Sequence, residues 1–206
     1  MKRPVILVTG FGAFPGAPHN PTAVLMRMLA AHEGRLARLG VKLERRILPV
    51  VYDEIEPRLK CLIADIAPDA ILHFGLAGRR RKISIETRAL NRLGALHPDA
   101  ASRNAKSRNV LPQGEMYLRG VGVPAGRLNA TLRQSGIMSE LSINAGDYVC
   151  NQTFYLSLAM AANTGRAVGF IHVPKLKSQP LVKAALLLIM ALVPDLRRQR
   201  QNHLAP

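Results

Sequence analysis

The chain has 206 residues, 48% of them hydrophobic, with a mean hydropathy of +0.07. That composition excludes a disordered segment and supplies enough apolar side chain for a core that needs no covalent staples. The formal net charge is +16, with a pI near 11.0, but five Phe, four Tyr and no Trp, without zinc-finger spacing, a basic zipper or an aromatic RNA-binding motif, argue against specific nucleic-acid recognition.

Residues 5–9, Val-Ile-Leu-Val-Thr, form a short apolar run that predicts a buried first strand. It is too short for the core of a signal peptide. Residues 10–21 are rich in Gly and Pro and read as a long loop. Val24, Leu25, Met28 and Leu29 share one helical face within residues 22–32. Residues 43–51 predict a strand ending near Pro49. Residues 53–66 suit a helix with Asp53 as its N-cap. Residues 70–75 predict a second buried strand, and residues 83–90 another. Residues 95–114 lack periodicity and read as a long loop or flap, a common place for function. Helices are expected over residues 124–135, 149–163 and 179–193, with an apolar strand at 167–173. Residues 181–193 are apolar except for Lys183, but too short to span a membrane, which needs roughly 20 residues. The basic tail, about 195–206, is expected to fray, with extension of the helix through Arg197 to Arg200 as the alternative. Strands alternating with helices indicate one α/β domain over residues 1–206, with a mostly parallel, twisted central sheet flanked by helices, as in phosphorylase/hydrolase-like folds.

Three residues carry candidate chemistry. Cys150 falls where a helix begins, so free N–H groups and the positive helix end favour a thiolate and an oxyanion there. His172 ends an apolar strand just before Val173-Pro174, where a neutral imidazole can take a thiol proton. Glu86 lies among Arg81, Lys82 and Arg88, which keep it ionised and able to hold an imidazole in its useful tautomer. Read singly, each has a plainer alternative: an inert buried cysteine, a satisfied core histidine, or a surface salt bridge from Glu86 to Arg88 or Lys82. The six histidines show no paired ligand spacing and no Cys-x-x-Cys occurs, so no metal and no cofactor is expected. Gly10-x-Gly12 follows a strand, but no third glycine completes a dinucleotide loop. Only Cys61 and Cys150 are thiols, too few for a disulfide framework, which suits a reducing cytoplasm.

Taken together, four ordered segments resemble the pyroglutamyl peptidase I family of cysteine peptidases. Thr9-Gly10-Phe11-Gly12-Ala13-Phe14 with Asn20-Pro21-Thr22 is similar to that family's opening. Gly75-Leu76-Ala77-Gly78 through Glu86 is similar to its glycine segment. Ala145-Gly146-Asp147-Tyr148-Val149-Cys150-Asn151 resembles its nucleophile motif, and Gly169 to Pro174 its histidine motif. The resemblance implies Glu86, Cys150 and His172 as catalytic residues. It also implies Phe11, Phe14, Leu76 (through its backbone), Tyr148 and Val149 as contacts for the lactam ring. It implies N-terminally pyroglutamylated peptides as substrates, no metal, and a homo-tetramer or homo-dimer.

Two departures stand out. Arg79-Arg80-Arg81 replaces part of the glycine segment. Leu96 stands where the family carries an arginine, for which Arg79, Arg80 or Arg92 are the available substitutes. The alternative reading is a catalytically altered or inactive homologue that binds an anionic partner.

Overall fold

The computed structural model describes residues 3–120 and 122–202. Strand β1 (Val5–Phe11) leads through a loop to α1 (Pro21–Met28). A 3-10 turn (Leu29–His32) and α2 (Glu33–Arg38) follow. Then come β2 (Lys42–Leu48), α3 (Tyr52–Ile66) and β3 (Ala70–Leu76). The expected strand over 83–90 divides into β4 (Ile83–Glu86) and β5 (Arg88–Leu90). Next are β6 (Tyr117–Arg119), α4 (Ala125–Gln134) and β7 (Ser139–Ser142). The chain closes with α5 (Val149–Ala161), β8 (Ala167–Val173) and α6 (Ser178–Asn202).

Six strands form one sheet in the order β2-β1-β3-β8-β4-β7. β2, β1, β3 and β8 run parallel, β4 is antiparallel to β8, and β7 is parallel to β4. The α/β class and the mostly parallel sheet are therefore as expected. A parallel sheet must be covered on both faces, which is why its strands read as unbroken apolar runs. Ile6, Val8, Leu72, Phe74, Ile171 and Val173 pack toward α1, α4 and α6. Leu7, Ile71, Val168 and Phe170 pack toward α3 and α5. Each fully buried Leu, Ile or Phe is worth about 1.5–3 kcal/mol relative to exposure.

This alternation decides which side chains meet, because successive residues of a strand point to opposite faces. Phe170 faces α3 and α5, so His172, two residues on, does too. Ile83 and Ile85 face the α4–α6 layer, so Glu86 lies on the α5 face with His172.

Four expectations need correction. The helix over 22–32 ends as a 3-10 turn at Leu29–His32. Asp53 does not cap α3. Its N-cap is Val51, which makes no side-chain cap bond. Asp99 caps from a distance instead, its Oδ2 accepting from Tyr52 N–H at 3.1 Å, while Asp53 pairs with Lys106. The loop over 95–114 is thus anchored at buried Asp99, whose Oδ1 also accepts from the N–H groups of Ala101 and Arg103. Finally, residues 195–202 of the basic tail continue α6, with Arg200 paired to Asp69 and Arg197 bonded to Leu39 O. With that extension Ser178–Gln201 is long and apolar enough to cross a membrane by composition, yet Leu181, Leu188, Leu192 and Leu196 bury its apolar stripe in the core.

Candidate active site

The loop after β1 is fixed by an Asn-Pro-Thr start to α1. Asn20 Oδ1 accepts from Thr22 N–H at 3.0 Å and from the Thr22 hydroxyl at 2.9 Å. Asn20 Nδ2 reaches back to Gly12 O, and Thr22 Oγ1 accepts from Phe11 N–H. Pro21 fits because the first helical position needs no N–H. Gly10 is required by the same contact: a Cβ there would lie 2.4 Å from Thr22 O. This loop places Phe14 half-buried, 6.1 Å from Tyr148 between ring centroids. Phe11 sits deeper, 2% exposed, against Phe170.

Cys150 occupies the second residue of α5. No side chain caps this helix start, and among the described residues no acceptor meets the N–H groups of Val149, Cys150 or Asn151, the first helical bond being Gln152 N–H to Tyr148 O. The helix end therefore presents free donors beside the sulfur. Val149 turns its side chain wholly into the core, so only its backbone is available to a substrate. Asn151 stitches the helix to the chain beyond Glu86, bonding Leu90 N–H, Leu90 O and Arg92 O.

His172 and Glu86 form the buried centre of the site. His172 Nδ1 lies 2.7 Å from Glu86 Oε1. Arg80 Nη1 donates to the same oxygen at 2.6 Å, and its Nη2 donates to Asn144 O at 2.7 Å. The plainer alternative for Glu86 thus fails: its cation is Arg80, and its carboxylate is inside, 2% exposed. Lys82 instead faces Glu140, and Arg88 bonds Ile143 O. Glu86 Oε2 is buried and, among the described residues, has no hydrogen-bond partner.

Cys150 is brought to this pair through Gly75. Gly75 pairs in register with His172, and a Cβ on Gly75 would lie 2.9 Å from Cys150 Sγ and 2.8 Å from the Phe170 ring. The sulfur rests on the bare backbone of the strand next to the histidine, an arrangement only glycine permits.

The electrostatics favour neutral partners at rest. Burial, reinforced by the Glu86 charge and opposed by Arg80, pushes the Cys150 thiol up to about 12. Desolvation thus opposes the pull of the helix end on the thiol proton. Burial also lowers His172, Glu86 works against that, and Arg80 adds to it. Burial would raise Glu86, but His172, Ser142 and Arg80 hold it below the usual carboxylate range. These directions favour a general-base arrangement of thiol, neutral imidazole and carboxylate over a preformed ion pair.

Leu76 ends β3 beside Val173 of β8. Tyr148 donates from its hydroxyl to Pro98 O at 2.9 Å and meets Tyr52 edge-on. Leu96 is 86% exposed. Of the candidate substitutes for the absent arginine, Arg79 is exposed, Arg92 pairs loosely with Asp147 at 3.6 Å, and only Arg80 enters the site. His73 is fully buried between Thr9 and Ser157 hydroxyls, and burial drives it down to about 3; it belongs to the core. Among the described residues no cluster of three His, Cys, Asp or Glu side chains could hold a metal. Arg80 lies in a basic run and Gly75 in a glycine segment, so their places beside the Glu86–His172 pair are not marked by local pattern.

A family model described as pyroglutamyl peptidase matches residues 4–196. A pyrrolidone-carboxylate peptidase from Pyrococcus furiosus is 34% identical over 181 residues, covering 86% of this chain and 84% of the relative. One from Pseudomonas fluorescens SBW25 is 35% identical, covering 85% and 80%. Among solved structures, a mutant pyrrolidone carboxyl peptidase from P. furiosus superposes with a TM-score of 0.84 at 28% identity, covering 92% of this chain and 98% of that one. The Thermus thermophilus structure gives 0.80 at 31% identity, covering 89% and 98%.

Proposed function

The chain belongs to the pyroglutamyl peptidase family, and on that premise we propose that Cys150, His172 and Glu86 remove N-terminal pyroglutamyl residues from peptides. The observation that carries this reading is the 2.7 Å Glu86–His172 contact on the same sheet face as the Cys150 sulfur. Glu86 holds the proton on Nδ1, which leaves Nε2 free as the base. Nε2 takes the Sγ proton as sulfur attacks the pyroglutamyl carbonyl carbon. The free N–H groups at the start of α5 receive the developing oxyanion. The imidazolium then protonates the leaving amine, and the C–N bond breaks to leave a thioester. Water, deprotonated by the same nitrogen, attacks the thioester and releases pyroglutamate and the thiol.

The lactam ring has no ammonium group. Half-buried Phe14 and Tyr148 offer it aromatic faces, with Phe11 behind them and the backbone of Leu76 and Val149 supplying amide contacts. A site without an acidic anchor rejects an ordinary charged N-terminus by leaving that charge unpaired. A reducing compartment such as the cytoplasm keeps the thiol available. A second copy of the chain is the partner expected at edge strand β7, where Met138, Leu141 and Ile143 are exposed; light scattering on the purified chain reads that oligomeric state. The alternative of an inactive binding protein has no observation in its favour.

The deciding experiment is fluorophore release from a pyroglutamyl amide under reducing conditions, with Cys150→Ser alongside. Turnover that vanishes in the variant is the expected result. Full turnover by Cys150→Ser overturns the nucleophile assignment.

A further inference from the structure

At the opposite end of the sheet from Cys150, the starts of β1, β3 and β8 and the last turns of α6 frame a cavity of about 660 Å³. Pro4, Pro68 and Leu196 give it an apolar floor, and Arg3, Arg166, Arg197 and Arg200 line it. The one carboxylate lining it, among the described residues, is Asp69. That carboxylate is already engaged. Its Oδ2 accepts from Val5 N–H at 2.7 Å, and Arg200 grips both oxygens, at 2.8 and 2.6 Å.

The other guanidinium groups are less fully engaged, although Asp69 lies near Arg166. Arg166 Nε donates to Pro68 O at 2.8 Å, and Arg197 Nη2 to Leu39 O at 2.8 Å. Neither Arg3, Arg166 nor Arg197 has an ion-pair partner among the described residues. Burial lowers Arg166 below the usual guanidinium range, and nearby Asp69 offsets only part of this. A half-buried guanidinium left without an anion is a cost that a bound anion removes.

We propose that this cavity binds a small phosphate ester carrying an apolar or aromatic body. The guanidinium forks match phosphate oxygens in pairs, while the proline and leucine floor takes the body. The volume falls within the roughly 300–1,000 Å³ of small-molecule sites. β3 runs from Ala70 at the cavity to Leu76 just past Gly75, so roughly 20 Å of strand separates the cavity from the sulfur. The two sites are distinct, and this one does not depend on the peptidase reading.

Titration calorimetry on the full chain with ATP at physiological salt tests this, using adenosine and tripolyphosphate as controls for body and charge. The expected result is one ATP bound per chain, weakened at least tenfold by Arg166→Gln and by Arg197→Gln. Cys150→Ser, and Arg103→Gln on the exposed loop, leave it unchanged, and adenosine gives no heat. Thermal melts show that the arginine variants are folded. Absence of ATP binding, or a loss from Arg103→Gln equal to that from Arg166→Gln, overturns the proposal, the latter meaning diffuse attraction to a basic surface.

Discussion

Gly75→Ala adds one methyl group, and its consequences can be worked from contacts. The new carbon would sit 2.8 Å from two Phe170 ring carbons and 2.9 Å from Cys150 Sγ. Favourable heavy-atom contacts begin near 3.5 Å, so ring and sulfur must each retreat by about 0.6–0.7 Å. Neither moves freely. Phe170 is boxed in by Phe11, Phe154, His73 and His172, and Cys150 is set in the first turn of α5. Overpacking of this kind costs about 1–3 kcal/mol, which in a chain of this size lowers Tm by about 2–4 °C per kcal/mol. A misplacement near 1 Å costs about a hundredfold in rate, so a displacement of this size should lower kcat/KM by about 10- to 100-fold. The assays are pyroglutamyl-amide turnover, a thermal melt, and the rate of Cys150 alkylation by iodoacetamide. A variant with wild-type turnover and an unmoved Tm would refute the claim that the sulfur rests on this glycine.

Glu86→Gln keeps the shape of the side chain but removes the charge that selects the Nδ1–H tautomer; kcat should fall by about 10²–10⁴-fold, with thiol alkylation still measurable. In Arg80→Gln the sign follows from the positive charge, which lowers His172: without it the imidazole protonates more readily, so the acid limb of the kcat/KM–pH profile should move to higher pH. An unmoved limb would mean that Arg80 is only a structural clamp on Asn144. Asp99→Ala removes the acceptor for Tyr52 N–H and for two loop N–H groups; it should cost about 1–2 kcal/mol, seen as a lower denaturation midpoint. Leu96→Ala should leave turnover unchanged in the same fluorescence assay, because the Leu96 side chain is 86% exposed.

Much of the fold was legible because buried parallel strands advertise themselves. The apolar run over 167–173 maps onto β8 without adjustment, and the helix starting at Val149 begins where its motif suggested. Strands β6 and β7 escaped notice. The three residues of β6 and the four of β7 are too short to show a period, and they exist because a neighbouring strand offers them partners. Asp53 looked like a cap by local pattern, but Asp99, 47 residues away, holds that place; sequence proximity carries no information about such a bond. Likewise, the tail at 195–202 lacks an apolar pattern of its own, and its helix is held by Asp69 and Leu39 O, both distant in the chain.

For the site, the sequence by itself determined the inventory: a cysteine at a helix start, a histidine at a strand end, a glutamate among cations, and the aromatic residues of the first loop. Those are properties of residue type and local period. Only the tertiary structure decided which cation belongs to Glu86, that Leu96 is exposed, and that burial opposes ionisation of the thiol. Pairing, exposure and protonation depend on distance and desolvation, and both are set by segments that meet only when the sheet has formed.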